Sequence, residues 1–399
     1  MRAIFLVIDS FGIGALPDAE QYGDTGANTA LSICNEISEV RWPNLKRLGL
    51  GNCAQVLGYT LPGCEPVAQP LADFGVMIEA SPGKDTTTGH WELAGIVLDK
   101  PFHTFPPDFP SFPKQLIKAF EEKSGYQTLG NKAASGTKII EELGERHLHS
   151  KSVIVYTSAD SVFQVAAHQQ QLAIDELYRV CEIGRELCND YQVGRVIARP
   201  FAGVPGSFER TSQRKDYSME PAVPTIMDRL QEAGVETVGI GKIGDIFAEK
   251  GLSQSHHDHG NEACLERLIS CLQTTSAHDQ FFFVNLVDTD MLYGHRRDIQ
   301  GYHDAVARID TKLPELMEFL RDDDLLIISA DHGCDPGFKG TDHTREYAPL
   351  LCWTGGSAGG ESVGIRGSFS DAAQSVASFF KIPPIDCGVS FIQDNRSNH

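Results

Sequence analysis

No apolar stretch in the sequence approaches the ~20 residues needed to cross a bilayer, so a membrane-spanning helix is not expected. The N-terminal MRAIFLVIDSFGIG has a leader-like start, but its apolar run Ala3–Ile8 ends at Asp9 and no small-residue cleavage site follows. There is no C-x-x-C pair, which removes the usual zinc-ribbon and dithiol frameworks. The ten cysteines are scattered. Cys181 with Cys188, and Cys264 with Cys271, share the spacing of two buried positions on one helix face. Reduced thiols and a cytoplasmic setting are therefore expected. Positive charge is also scarce: 34 Lys+Arg against 54 Asp+Glu gives a net charge of −20. Such a surface repels nucleic-acid backbones and anionic lipid, so neither is an expected partner, and no obligate protein partner is evident. An anionic substrate would need a local reversal of sign, and a bound metal provides one. Internal repeats and low-complexity tracts are lacking as well.

What is present is ample core material. Of the 399 residues, 41% are hydrophobic and 22% charged, and at ~150 residues per domain the length predicts two or three units. Short apolar runs alternate with helix-period segments. The clearest strands are Ala3–Ile8, Val153–Thr157, Thr237–Ile240, Phe281–Val287, Leu325–Ser329 and Pro349–Trp353. Several are apolar throughout, as strands covered on both faces should be. Val306, Ile309, Leu313, Leu316 and Leu320 mark one buried helix face, with a bend expected at Pro314. A second helix is expected near Ile174–Cys188. Strand–helix–strand order implies an α/β fold with a mostly parallel sheet flanked by helices. Two proline-rich stretches, 101–113 (PFHTFPPDFPSFP) and 200–224, suit stiff crossings between units. The core is accordingly expected from 1–99 and 220–399, with a second domain inserted at 100–219.

Three strands end in acid: Ala3–Ile8 in Asp9, Phe281–Val287 in Asp288 and Asp290, Leu325–Ser329 in Asp331. Parallel strands align their carboxyl ends along one edge, where ligands of open α/β folds bind. His295, His332 and His343 accompany these acids. One strand-end aspartate commonly just caps a helix, and a lone histidine is usually structural. The full set at matching strand ends instead has the composition of a binuclear metal site, because crowded carboxylates repel unless a cation lies among them. The run Lys84-Asp85-Thr86-Thr87-Thr88-Gly89-His90-Trp91-Glu92 places a threonine at a helix start, where an anion is favoured. Threonine there is more often a cap than a nucleophile, and spacing alone does not choose among Thr86, Thr87 and Thr88. Gly239-Ile-Gly241-Lys242-Ile-Gly244 formally matches G-x-G-x-x-G, but no clear βαβ unit with a ribose-binding acid follows, so a dinucleotide site is not expected. His256-His257-Asp258-His259 reads as solvated surface.

The motifs GKDTTTGHWELAG, GNKAASGT, VYTSADSVFQVAAH, GRVIARPF, GIGKIGDI, NLVDTDMLYGHRRD and SADHGCDPGFKGTDHTREYAPLL together resemble the prokaryotic phosphopentomutases of the alkaline phosphatase superfamily. The resemblance runs from IFLVIDSFGIGALPDAEQYGD to GVSFIQ. It implies an alkaline-phosphatase-like core with an inserted small α+β cap domain. It further implies two Mn²⁺ per chain, one held by Asp9, Thr86, Asp331 and His332 and the other by Asp290, His295 and His343. Thr86 falls on the nucleophile position. Ser158 and Asp160 match positions that face the sugar, and Arg195, Arg210 and Lys242 match positions near the substrate's distal phosphate. The implied reaction interconverts ribose 1-phosphate and 2-deoxyribose 1-phosphate with the 5-phosphates, through a phosphothreonine and a pentose 1,5-bisphosphate. A sugar bisphosphate such as glucose 1,6-bisphosphate would prime the threonine. The proline-rich stretches are then the expected hinges of a lid that keeps water off the phosphothreonine. The alternatives are a metal-dependent phosphatase on the same core, a phosphoglycerate-type mutase, and a non-catalytic metal-binding protein.

Overall fold

A computed structural model describes residues 1–392 apart from Ala159; Gln393, the last residue of the resemblance, lies outside the described residues. The chain divides into two units, Met1–Pro101 with Pro221–His399, and Phe102–Glu220.

The first unit is built on an eight-stranded sheet in the order Gln254–His256, Glu236–Ile240, Gln280–Leu286, Arg2–Ile8, Leu325–Ser329, Ala348–Thr354, Asp73–Met77, Ser362–Arg366. The first five run parallel. Ala348–Thr354 is antiparallel to both of its neighbours, and Ser362–Arg366 is parallel to Asp73–Met77. The three central strands are buried at every residue. Their unbroken apolar character therefore reflects cover on both faces, as for a doubly layered α/β fold. Phe5 stacks on Phe283 with ring centroids 5.2 Å apart, and Phe283 packs in turn on Phe247 and Phe281. The helix marked by the Val306–Leu316 periodicity spans Ile299–Glu318 and contains Pro314; Leu320 lies beyond its end.

At the amino ends of the central strands, Arg2 is buried against Asp324, donating through Nε at 2.9 Å and to the Leu272 carbonyl at 2.9 Å. At the carboxyl ends, Ile8 pairs with Leu286 and Val7 with both Asn285 and Ser329. Asp9, Asp290 and Asp331 follow at one edge, which makes that edge acidic.

The second unit has its own six-stranded sheet in the order Gln127–Ala133, Ser152–Thr157, Val162–His168, Arg195–Val204, Ser207–Arg210, with Lys215–Ser218 pairing beside the start of Arg195–Val204. Helices Lys114–Ser124 and Ile174–Asn189 cover one face through Leu116, Phe120, Leu177, Val180, Cys181 and Cys188. Helix Gly136–Leu148 covers part of the other through Ile139 and Ile140, against Ile154, Tyr156, Ala166 and Phe201.

Each of the two stretches expected as stiff crossings contains a boundary between the units, but much of each is built into the second unit. Phe105 and Phe112 are buried in the second unit's core, and Pro200 lies inside strand Arg195–Val204. Pro200 falls where that strand changes partner, after Ala198 pairs with Lys215 and before Phe201 pairs with Arg210. A residue without an N–H is tolerated at such a break. Of these prolines, Pro101, Pro221 and Pro224 lie outside the second unit. Of the paired cysteines, Cys181, Cys188 and Cys264 are buried, whereas Cys271 is half-exposed.

Candidate active site

Thr86 is the first residue of helix Thr86–Leu93. Asp85 caps that helix, its Oδ1 accepting from the amides of Thr87 and Thr88 at 3.1 Å. The Thr88 hydroxyl donates to Asp85 Oδ2 at 2.6 Å and is thereby consumed in the cap. The Thr86 hydroxyl instead lies 3.2 Å from His332 Nε2. That same nitrogen lies 3.3 Å from Asp331 Oδ2 and 3.6 Å from Asp9 Oδ1. A hydroxyl, two carboxylates and an imidazole thus converge at a helix N-terminus.

A second group adjoins the first. Asp290 reaches His295 Nε2 through Oδ2 and His343 Nε2 through Oδ1, each at 3.3 Å. The two Nε2 atoms are 3.2 Å apart. The His343 ring stacks on His332 with centroids 4.0 Å apart and tilts over His295 at 4.7 Å. Potential ligand atoms cluster as Asp9–Asp331–His332, Asp290–His332–His343 and Asp290–His295–Cys334. Cys334 Sγ lies 3.9 Å from His295 Nδ1. The fourth strand-end acid, Asp288, turns away and exchanges hydrogen bonds with Asn261 at 2.9 Å.

The electrostatics call for a cation. Asp9 Oδ1 is buried without a hydrogen-bond partner among the described residues, while buried Asp290 Oδ1 and Asp331 Oδ2 meet the nitrogens of His343 and His90. Burial, then the charges of Asp331 and Asp290, push the Asp9 carboxyl well above its ordinary range. Burial works the same way on Asp290, but His343, His295 and His332 outweigh it and hold that carboxyl well down. Burial also lowers His343, yet the Asp290 charge overrides it and raises the imidazole to about 10. These are the strains of a donor cluster without its counter-charge, and oxygen and imidazole donors fit divalent ions.

Behind this cluster is a layer that motif spacing does not reveal. Asn285, a polar residue inside the largely apolar strand Gln280–Leu286, donates to Asp9 Oδ2 at 2.8 Å and lies 3.1 Å from His90 Nε2. His90 Nδ1 lies 2.9 Å from the Thr86 carbonyl oxygen and 2.9 Å from Asp331 Oδ2. The Ser10 amide donates to Asp331 Oδ1 at 3.0 Å. Such contacts orient ligands and tune the site. A polar residue inside an all-buried strand was the available signal for Asn285. The loop leading to Thr86 is gripped from two sides. Glu92 accepts from the amides of Ala80 and Ser81 at 2.8 and 2.6 Å. Buried Arg345 donates to the carbonyls of Glu79, Ser81 and Gly83 at 2.7–2.8 Å.

The residues assigned to substrate fall in both units. Lys242 directly precedes the short helix Ile243–Ile246 of the first unit, and its charge acts on Asp9. Ser158, Asp160, Arg195 and Arg210 belong to the second unit. There Arg195 lies 3.8 Å from Asp160 Oδ2 and 3.6 Å from Asp216 Oδ2. Of the histidine run, His256 and Asp258 are half-buried, while His257 and His259 are exposed.

Fold and site together define a metal-dependent enzyme of the alkaline-phosphatase type, and a family model described as the metalloenzyme superfamily matches residues 1–384. Among curated proteins, the phosphopentomutases of Caldanaerobacter subterraneus and Thermotoga maritima are each 48% identical over 98% of both chains. That of Carboxydothermus hydrogenoformans is 49% identical over 96% of both. The chain belongs to the phosphopentomutase family. Among solved structures, Leishmania mexicana phosphoglycerate mutase matches with a TM-score of 0.50 at 12% identity, covering 98% of this chain and 97% of that one, a likeness of fold alone. No helix among the described residues is long and apolar enough to cross a membrane.

Proposed function

We propose that the chain isomerises ribose 1-phosphate and 2-deoxyribose 1-phosphate to the corresponding 5-phosphates in the cytoplasm, where its ten free cysteines stay reduced. The observation that carries this reading is the Thr86 hydroxyl, at a helix N-terminus 3.2 Å from His332, in a chain that matches phosphopentomutases almost end to end. Asp9, Thr86, Asp331 and His332 would hold one ion and Asp290, His295 and His343 the other. Hard oxygen and imidazole donors suit Mn²⁺. Bound ions would supply the positive charge that phosphoryl transfer needs and lower the hydroxyl pKa.

In this scheme Thr86 carries the phosphoryl group, and the helix N-terminus favours its negative charge. The free hydroxyl of a pentose monophosphate attacks that phosphorus. The bond to Thr86 Oγ1 breaks as the sugar O–P bond forms, the proton of the sugar hydroxyl passes to the freed Thr86 Oγ1, and a 1,5-bisphosphate results. The sugar reverses and Thr86 takes the other phosphoryl group, which releases the isomeric monophosphate. A sugar bisphosphate such as glucose 1,6-bisphosphate replenishes the phosphothreonine whenever water discharges it. Ser158 and Asp160 face the sugar, and Arg195, Arg210 and Lys242 serve the phosphate that is not being transferred.

The test is conversion of ribose 1-phosphate to ribose 5-phosphate with Mn²⁺ and the bisphosphate primer, in the wild type and in Thr86→Ala. Losing a covalent nucleophile lowers turnover by at least about 10³-fold. Near-normal turnover in the variant defeats the assignment, and release of inorganic phosphate in place of 5-phosphate identifies a phosphatase.

A further inference from the structure

Glu346 is only 1% exposed and forms no ion pair among the described residues. A carboxylate so placed is costly unless donors satisfy it. Four do. Its Oε2 accepts from the amides of Gly14 at 3.2 Å and Thr29 at 2.9 Å, and its Oε1 from the hydroxyls of Thr29 at 2.8 Å and Thr344 at 2.6 Å. Burial still pushes the carboxyl up to about 7. The neighbouring backbone leaves exactly one side chain's room. A Cβ at Gly12 would lie 2.4 Å from Oε2, and one at Gly333 2.3 Å from Oε1. Neither glycine has a positive φ, so both are glycine for the sake of the carboxylate and not of a turn.

The two hydroxyls carry the contact onward. A threonine hydroxyl has one proton, and Glu346 takes it in both cases, which leaves each oxygen to accept. Thr29 Oγ1 accepts from the Cys334 amide and Thr344 Oγ1 from the Asp335 amide, both at 3.2 Å. Cys334 and Asp335 follow shortly after His332, and Thr344 directly follows His343. Gly333 and Thr344 pair as an antiparallel bridge, Gly333 N donating to Thr344 O at 3.0 Å and Thr344 N to Gly333 O at 2.8 Å. His332 and His343 thus leave from matching sides of one bridge, and their rings stack with centroids 4.0 Å apart. The Gly14 amide joins the segment after Asp9 to the same carboxylate.

We infer that Glu346 is a positioning residue that fixes His332 relative to His343, and through them the spacing of the two metal ions. The inference rests on the metal pair of the proposed function. His332 belongs to one ligand set and His343 to the other, so the bridge between them sets the register of the two sets. Glutamine has nearly the same shape but cannot do this work. With its NH2 toward Gly14 and Thr29, donor faces donor. With its NH2 toward the two hydroxyls, their protons lose their acceptor.

The test uses the full-length chain loaded with Mn²⁺. Calorimetry gives manganese affinity and stoichiometry, and electron paramagnetic resonance gives the spin coupling between the ions, beside kcat, for wild type, Glu346→Gln, Thr344→Val and Thr344→Ser. Loss of support behind metal ligands predicts affinity and kcat lower by about tenfold or more in Glu346→Gln and Thr344→Val, with altered spin coupling. Thr344→Ser keeps the hydroxyl and should restore all three. A role confined to stability would lower the melting temperature and move none of them. Should Glu346→Gln fail to fold, the near-isosteric Thr344→Val carries the test. A wild type that takes up fewer than two Mn²⁺ overturns the metal assignment and the inference with it. Two ions in the wild type, with affinity and coupling unchanged in the folded variants, overturn the inference alone.

Discussion

Replacing Arg345 with methionine should damage both stability and turnover, by separable routes. Arg345 is 3% exposed at its side chain and sits opposite Glu79, which is 1% exposed, at 2.7 Å. Its guanidinium also donates to Asp18 through Nε at 3.2 Å and through Nη2 at 3.0 Å, besides gripping the carbonyls of Glu79, Ser81 and Gly83. Burial already pushes the Glu79 carboxyl well up despite the arginine. Removing one partner of a buried pair costs about 3–5 kcal/mol, because the other charge is left uncompensated. At ~3 °C per kcal/mol for a unit of this size, melting should fall by about 10 °C. The loop Glu79–Lys84 loses its anchor at the same time. A nucleophile displaced by about 1 Å costs on the order of 10² in turnover. Thermal melts and single-turnover kinetics of Arg345→Met, Glu79→Gln and the double variant separate the two effects. The double variant should regain part of the melting temperature, since no buried carboxylate is stranded, but little of kcat. A melting shift below about 2 °C with intact turnover in Arg345→Met would refute this account of the loop.

Other expectations follow from the same geometry. Asn285→Ala removes the donor to Asp9 and the contact with His90, and should weaken metal affinity by about 10–100-fold, read by competition with a chelating dye; unaltered affinity would show that Asp9 needs no brace. His343 keeps its proton up to about 10 in the metal-free chain, so an ion entering among Asp290, His295 and His343 must expel it. Affinity at that site should then rise about tenfold per pH unit between about pH 6 and 9 and level off above the His343 value. Calorimetry in buffers of different ionisation heat checks this as proton release, and a pH-independent affinity contradicts it.

The parallel core was legible because its strands are short, unbroken apolar runs such as Ala3–Ile8 and Leu325–Ser329, whose length and β-branched content favour strands covered on both faces. Parallel pairing then obliges the residues after those strands to meet, which is why Asp9 and Asp331 could be placed together from opposite ends of the chain. Spacing could not separate Asp288 from Asp290, because both follow the same strand and only the direction of the turn sends Asp288 to Asn261. Nor could it choose among three threonines; the Asp85 cap consumes the Thr88 hydroxyl, and the Thr86 hydroxyl is the one set 3.2 Å from His332 Nε2. The supporting residues Asn285, His90, Glu92 and Arg345 act through contacts between distant segments, for which no local pattern exists. Within 200–224 the proline pattern could not separate Pro200, accommodated at a change of strand partner, from Pro221, where the first unit resumes.

The central claim is that the buried aspartates and histidines at one sheet edge hold a pair of divalent ions beside the Thr86 hydroxyl. Anomalous diffraction from a crystal of this chain grown with Mn²⁺ tests it most directly. Two peaks are predicted, one among Asp9, Asp331, His332 and Thr86 Oγ1 and one among Asp290, His295 and His343. Peaks elsewhere, or none at these carboxylates, would contradict it.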